Sequence, residues 1–487
     1  MNEYHGLVLV PPRIIPALDS AFRPAVLATR AFRNAAHASK SAVLIQLALE
    51  QADGSVFHFA TEIVPESHPQ SGGNFTYLER LVKFLLWSRG GFRIYFAGPR
   101  PLGDQLQKHF RETPTGKFDS NLLGEKVYDR PLEVVTMNAA DIPPARANTT
   151  PLGGHWDGCR IGFDLGASDR KAAAVIEGKV VFSEEVVWNP VMQTDPQWHF
   201  EQIMDSLKRA AAHLPRVDAI GGSSAGILVN NRVKVASLFR GVPTEFFNRR
   251  VKVIFLKMNQ AWDGIPFEVV NDGEVAALAG SMAIEQHGVL GIAMGSSEAA
   301  GYVTSDGNIT SWLNELAFAP VDYHPSAPVD EWSGDRGCGV QYFSQQAVGR
   351  LIPAAGIRVD AALSLPEKLK HVQGLMQQGD DRARKIYQTI GAYLGYGLAH
   401  YADFYEFKNV LILGRVTSGP GGDVIIEGAK EVLRTEFPDL AAGITFHIPD
   451  ETDKRHGQAV AAASLPITRR SQPQLRLSHE PIPTSRI

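Results

Sequence analysis

Apolar and polar positions alternate most cleanly between residues 42 and 64. AVLIQLALE (42–50) and SVFHFATEIV (55–64) read as two strands around an Asp53-Gly54 turn, a strong hairpin signal. Upstream the pattern is weaker: Pro11, Pro12 and Pro16 precede an Arg/Ala-rich stretch that reads as helical. Downstream, a Pro/Ser/Gly loop leads into a helical period from Tyr77 to Trp87, with Leu78, Leu81, Val82, Leu85 and Leu86 on one face. Phe92 to Phe96 is the next strand. Residues 141–158, with Pro143, Pro144, Pro151, Gly153 and Gly154, read as a linker.

A second run of elements follows. RIGFDLGASDRKAAAVIEGKVV, Arg160 to Val181, reads as strand, tight turn and strand, with a Glu-Gly turn into the next strand. A helix from about His199 to Ala212 and a strand at Val217 to Ile220 come next. Phe267 to Asn271 is a short apolar strand ending in Asn-Asp and a small-residue helix. Leu411-Ile412-Leu413 is a buried-type strand that runs into a glycine-rich loop, Gly414 to Gly422, and a helix from Val424 to Leu433. Helices are expected from about Asp360 to Tyr405 and a small-residue helix within Ile448 to Leu465. Thr468 to Ile487, rich in Pro, Ser and Arg, reads as disordered. The order hairpin, helix, strand in residues 41–140 recurs after the linker, and PLEVVT (131–136) parallels PFEVVN (266–271). The first segment therefore reads as a degenerate copy of the second, with chance similarity of two α/β segments as the competing reading. The copy has no Asp-x-Gly-x-Ser turn, and Met137 falls where Asp272 stands.

Three stretches carry candidate chemistry. In Asp164-Leu165-Gly166-Ala167-Ser168 the glycine leaves room for a phosphate, its neighbours offer N–H groups, and Ser168 adds a hydroxyl. Asp164, at a strand end, suits Mg²⁺ held through water. An ordinary hairpin turn is the plainer reading. Asn271-Asp272 stands at the mouth of a strand, where Asp272 can serve as a base; the plainer role is to cap the helix beginning at Gly273. With the 414–422 loop, these stretches resemble, in their order along the chain, the phosphate, catalytic and adenosine elements of the actin-like ATPase superfamily. The likeness is greatest to the ROK family (repressor, open reading frame, kinase) of sugar kinases and repressors, over roughly residues 158–467.

The resemblance implies ATP and Mg²⁺ as cofactors and an acceptor hydroxyl whose proton Asp272 takes. It places Asp164, Gly166, Ala167, Ser168 and Lys171 around the phosphates, Gly295 and Ser296 in a thinned second phosphate loop, and Gly414, Gly419 and Gly421 in the adenosine loop. Asn271, Glu315, Ser224 and Gly226 fall beside the sugar. Four departures stand against a standard hexose kinase. Where the family reads Gly-Glu-x-Gly-His, the chain has Asn314-Glu315-Leu316-Ala317-Phe318, so Phe318 replaces a histidine that touches sugar and zinc. Of the family's cysteine cluster only Cys338 remains, and no zinc is expected. Val340 falls where a second sugar-binding glutamate would stand, and the 295–301 loop has few glycines. Loss of a buried hydroxyl's partner costs about 1–3 kcal/mol, which points to a less polar acceptor than glucose, or to none.

Composition narrows the partners. A chain of 487 residues is long enough for two or three domains, and a net charge of −4 argues against a general nucleic-acid or membrane-surface role. Two cysteines, Cys159 and Cys338, and an N-terminus without a signal-peptide pattern make the cytoplasm the default. The expected architecture is α/β: a two-lobe actin-like (ribonuclease H-like) fold, residues 159–290 and 291–467, behind an N-terminal α/β domain at 1–150. No helix-turn-helix is evident in that domain. The function expected is an ATP-dependent kinase for a hydroxyl of a sugar or sugar-like polyol. The alternative is a catalytically inactive small-molecule-binding or regulatory relative. A small-molecule acceptor is the partner, with no nucleic acid and no membrane; the assembly is left open, a homodimer being one reading.

Overall fold

A computed structural model describes residues 3–147, 152–235, 238–448 and 451–468, with backbone alone at 451–456. The tail expected to be disordered lies, from residue 469, outside the described residues. Among the described residues, no helix is long and apolar enough to cross a membrane.

The N-terminal domain contains helix α1 (Ala25–Ala38), strands β1 (Val43–Glu50) and β2 (Val56–Ile63), helix α2 (Asn74–Arg89), strand β3 (Arg93–Ala97), helix α3 (Arg100–Glu112) and strand β4 (Glu133–Thr136). Its hairpin turns where the Asp-Gly pair predicts: the Asp53 carboxylate accepts from Ser55 N at 2.8 Å, and Gly54 has φ +80. Ile45, Leu47 and Leu49 of β1 alternate into a core shared with Leu78, Leu81, Val82, Leu85 and Leu86 of α2. The sheet runs β2-β1-β3-β4, with β1 antiparallel to both neighbours and β3 parallel to β4.

The first lobe follows with strands β5 (Cys159–Leu165), β6 (Asp169–Ile176) and β7 (Lys179–Val187), helix α4 (Pro196–Ala211), strands β8 (Ala219–Ser224) and β9 (Phe267–Asn271), and helix α5 (Asp272–Ala283). The sheet order is β9-β8-β5-β6-β7. β5 is buried at every position, as the centre of a covered sheet requires. It runs parallel to β8 and antiparallel to β6. Helix α4 starts where Asp195 accepts from Gln197 N at 2.9 Å, one residue before Pro196.

The two sheets differ by one strand. Removing β5 would place β6 beside β8 and give, from β7 to β9, two antiparallel pairs and one parallel pair. The N-terminal sheet has that order and those directions. The hairpin in the place of β1–β2 is thus β6–β7, and the strand without a counterpart is the one that ends at Asp164. PLEVV and PFEVV hold matching places, β4 beside β3 and β9 beside β8.

The second lobe has strands β10 (Val289–Met294) and β11 (Glu298–Val303), helix α6 (Asp381–Tyr401), strand β12 (Asn409–Leu413), helix α7 (Pro420–Glu436) and strand β13 (Thr445–His447), in sheet order β11-β10-β12-β13. The last helix, α8 (Glu451–Ala463), leaves this lobe. A Cβ on Gly162 would lie 1.7 Å from the Ala459 carbonyl oxygen, and one on Gly221 1.7 Å from that of Ala462. Small residues on both sides let α8 lie directly on β5 and β8. The expected lobe boundary at 291–467 is corrected accordingly: the C-terminal helix belongs to the first lobe's sheet.

The N-terminal domain is tied to the second lobe through buried charge. Arg80 on α2 donates to both carboxylate oxygens of Asp335, at 3.1 and 2.9 Å, and pairs with Glu79. Lys83, one helical turn on, lies 2.9 Å from Asp335 and 3.1 Å from Asp119, to which Trp87 Nε1 also donates at 3.0 Å. Against the desolvation that opposes it, Arg80 and Lys83 hold Asp335 well below the usual carboxylate range. Replacing Asp335 by Ala leaves two buried cations short of a partner. It should cost about 3–5 kcal/mol of stability, read as a lowered urea midpoint; a loss below about 1 kcal/mol would mark the cluster as solvated.

Candidate active site

Three adjacent parallel strands, β5, β8 and β9, end side by side, and ligands of open α/β sheets gather at such carboxyl ends. The register puts Ser223 beside Asp164, and Ser224 beside both Leu165 and Asn271. Asp164 is buried and accepts from Ser223 Oγ at 2.7 Å. Lys171, its cross-strand partner, brings Nζ to 3.5 Å from Asp164 and 3.1 Å from Asp169. Burial raises the Asp164 pKa, and Lys171 and Ser223 oppose the rise.

The turn itself is tightly bonded. Gly166 N donates to Asp169 O at 2.9 Å, and Trp188 donates its indole N–H to Gly166 O at 2.8 Å. Gly166 therefore shapes the turn with its own N–H committed, while Ala167 and Ser168 are exposed at its tip. Ser168 Oγ donates to Asp169 at 2.8 Å.

At the end of β9 the Asn271 and Asp272 side chains both accept from the first turn of α5, Asp272 through Oδ1 from Gly273 N at 3.0 Å. Asn271 is the cap of α5: its Oδ1 accepts from Gly273 N at 2.7 Å, and its Nδ2 donates to Gly226 O at 2.8 Å. That second bond ties the strand end to the Ser224–Gly226 loop. Asp272 is the first helical residue. Burial, then the nearby Asp164 carboxylate, push its pKa up to about 6. Glu315 is pushed up to about 7 by burial and by Asp272. Behind it Glu298, 3% exposed, is pushed up to about 8 by burial and Glu315, with Oε1 3.3 Å from Tyr401 OH and Oε2 without a protein partner. Glu274, pushed up to about 8 by burial, accepts from Asn314 Nδ2. Sequence reasoning missed Glu298 and Glu274. An acid within the small-residue strand EAAGYV, and a second one two residues after Asp272, were the available signals.

Across the cleft, Gly295 closes the β10–β11 hairpin through its N–H to Ser297 O at 3.0 Å, with Ser296 exposed at the tip. Gly414 has φ +97, and a Cβ there would lie 2.5 Å from Met294 O, so the two glycine loops abut. Arg415 helps hold Asp169 below its ordinary value, behind Ser168 and Lys171, and against burial. The 414 loop thus faces the 166–169 turn. Gly419, with φ +75, caps α7 in open space. Gly421 is buried, and a Cβ there would lie 2.5 Å from the Tyr387 ring, so it serves packing against α6.

A cavity of about 140 Å³ opens beside Asn271 and Glu315, lined also by Glu268, Glu274 and Trp312 and by Gln51, Asp53 and Tyr128 of the N-terminal domain. Phe318 packs instead on Trp87, with ring centroids 4.4 Å apart, and on Phe118. Val340 is buried with Cys338 and Ala317. Among the described residues, no three His, Cys, Asp or Glu side chains are grouped to hold a metal ion.

No protein-family model and no curated protein matches the chain. Solved structures do. A ROK family transcriptional regulator, a homolog of the E. coli MLC protein, is 18% identical with a TM-score of 0.50, over 63% of this chain and 77% of that one. A ROK hexokinase from Thermus thermophilus is 20% identical with a TM-score of 0.49, over 63% and 96%. A ROK family glucokinase from Streptomyces griseus, in complex with glucose and AMPPNP, is 22% identical with a TM-score of 0.45, over 63% and 98%. The likeness to the regulator shows the fold: about two thirds of the chain has the two-lobed ROK form of the actin-like ATPase fold.

The buried glutamates give stability a pH dependence. Glu298 has an ordinary value of 4.5 and a folded value of about 8. Between those pH values the folded chain keeps a proton that the unfolded chain loses, so its contribution to stability falls as pH rises and is gone above about 8. Glu298→Gln does not titrate. Its urea midpoint should rise relative to wild type from pH 5 to pH 8.5, and a constant difference would show Glu298 to be ionised throughout.

Proposed function

We propose that the chain is an ATP-dependent kinase that phosphorylates a hydroxyl of a sugar or sugar-like polyol, with Asp272 as general base. The observation that carries this reading is Asp272 itself. It sits at the first turn of a helix, next to the cavity lined by Asn271 and Glu315, with its pKa raised to about 6. A base of that strength is mostly ionised at neutral pH, yet basic enough to take a proton in the transition state. Asp272 would take the acceptor hydroxyl's proton as that oxygen replaces ADP on the transferred phosphoryl group, the bond from the γ-phosphorus to ADP breaking and ADP leaving. Glu315 accepts a second acceptor hydroxyl, and the Asn271 bond to Gly226 fixes the loop beside it.

Mg²⁺-ATP, when bound, supplies the phosphoryl group and spreads its charge over the metal. The residues suited to hold it are Asp164, Lys171 and the exposed 167–168 tip on one side, and Gly295, Ser296, Gly414 and Gly419 on the other. Lys171, already at Asp164 and Asp169, is placed to turn its ammonium toward a phosphate. Such an enzyme works in the cytoplasm, where Mg²⁺-ATP is abundant. In this reading the N-terminal domain is a degenerate copy of the first lobe that lacks the phosphate strand and takes no part in phosphoryl transfer. A second reading, a binding or regulatory protein without turnover, is favoured by one feature: Asp164 already has two protein partners, Ser223 and Lys171.

The two readings separate on Asp272→Asn, which keeps the acceptor oxygen facing Gly273 N but removes the base. Turnover should fall by about 10²–10⁴-fold, while the rise in melting temperature produced by Mg²⁺-AMPPNP is kept. Wild-type kcat should fall as pH drops through about 6, the Asp272 value, because the protonated base is inactive. Turnover retained in the variant removes Asp272 as base; no turnover of wild type on any sugar or cyclitol favours the binding protein.

A further inference from the structure

We infer that the N-terminal domain is a working part of the acceptor site: its hairpin tip walls the cavity, and the end of α2 positions the segment that carries Glu315. This rests on the kinase reading above and names what selects its acceptor. The cavity draws Asn271 from the first lobe and Glu315 from the second, while Gln51, Ala52, Asp53 and Tyr128 come from the N-terminal domain.

The same domain fixes the second-lobe side. Glu315 N donates to Trp87 O at 3.0 Å and Asn314 N to Ser88 O at 3.0 Å, so the backbone beneath Glu315 is held by the last turn of α2. Asn314 takes φ +50, a left-handed bend that this pairing has to support. Ser311 Oγ donates to Gln51 Oε1 at 3.2 Å. The Arg89 guanidinium lies 3.5 Å from the centroid of the Trp312 ring, which also stacks on Tyr302 at 5.4 Å with a 2° interplanar angle. Trp312, a lining residue, is therefore immobilised by a side chain of the N-terminal domain. After α2, Gly90 has φ +79, and a Cβ there would lie 2.0 Å from Tyr128 OH; the chain turns away from the helix just tightly enough for Tyr128 to reach the wall.

The lining also bounds the chemistry. It holds carboxyl groups from Asp53, Glu268, Glu274 and Glu315 and no lysine, arginine or histidine. Ionised or protonated, none offers a positive charge. An acceptor that already carries a phosphate or carboxylate is thus excluded, leaving a small neutral or amine-bearing polyol.

Ala52 is the exposed, small member of the wall, in a turn where a larger side chain leaves the core untouched. The experiment is a graded series, Ala52→Val, Ala52→Leu and Ala52→Trp, tested with D-glucose, D-glucosamine, myo-inositol and D-gluconate. In wild type, one of the first three raises the melting temperature and is phosphorylated, and D-gluconate does neither. Along the series its KM should rise progressively, by at least about tenfold at Trp, as expected of a filled hydrophobic pocket. kcat, the KM for ATP and the melting temperature without ligand should stay near wild type. A KM for the acceptor that is flat across the series overturns the wall and leaves the kinase reading standing. Phosphorylation of D-gluconate in preference to the others overturns the charge argument. If wild type responds to none of the neutral or amine-bearing acceptors, the kinase reading fails and this inference falls with it.

Discussion

Arg80 and Lys83 are buried cations on successive turns of α2, and their desolvation is offset by Glu79 and Asp335 at Arg80 and by Asp119 and Asp335 at Lys83. Asp335 thereby joins two parts of the chain more than 250 positions apart by residue number, α2 and the 330–338 loop. The consequence reaches the cleft. The helix that is fixed by this cluster ends at Trp87, Ser88 and Arg89, the three residues that hold Glu315, Asn314 and Trp312. Cys338 lies against the same cluster as a buried thiol, its pKa pushed well up by burial.

The cleft inverts that logic. Burial raises the pKa values of Asp272, Glu315 and Glu298, and a neighbouring carboxylate adds to each, Asp164 for Asp272, Asp272 for Glu315 and Glu315 for Glu298, while Lys171 faces Asp164 and Asp169. Because Lys171 and Ser223 stabilise charge on Asp164, repulsion reaches Asp272 first, and from there Glu315 and Glu298. Burial is the largest cause at each of the three, which are pushed up to about 6, about 7 and about 8. Such groups titrate as a set. The member with the lowest value is Asp272, at the start of α5.

Local pattern carried much of the architecture. The β1–β2 hairpin, the face of α2 and the strand into Asn271-Asp272 were legible because period and turn chemistry are properties of a few adjacent residues. The cap on α5 was legible too, although only the structure could show that Asn271 and Asp272 both accept from Gly273 N. What depends on distant partners was not legible. The return of α8 to the first lobe rests on Gly162 and Gly221 meeting Ala459 and Ala462, and small residues at these positions read equally well as packing within either lobe. Phe318 and Val340 were legible as departures, but that Phe318 is a core residue facing Trp87 requires the N-terminal domain to be in place. Glu298 was hidden for a similar reason. Nothing nearby in sequence says that a glutamate in a small-residue strand will lie behind another carboxylate.

The relation between the two sheets explains why the extra domain can serve the cleft without doing its chemistry. In the first lobe β5 ends in a buried carboxylate whose desolvation makes sense only opposite a ligand or a lysine, and Lys171 on β6 is that lysine. The N-terminal sheet has no counterpart of that strand. Without it, the hairpin becomes the neighbour of the next parallel strand, as β1 is of β3. The corresponding hairpin tip in the first lobe, Glu177-Gly178, packs near Trp156. In the N-terminal domain the same kind of tip is released to extend over the 311–315 segment, where Gln51 meets Ser311. The two strand orders differ by β5 alone, and in the N-terminal domain the hairpin tip lies at Ser311, beside the cavity.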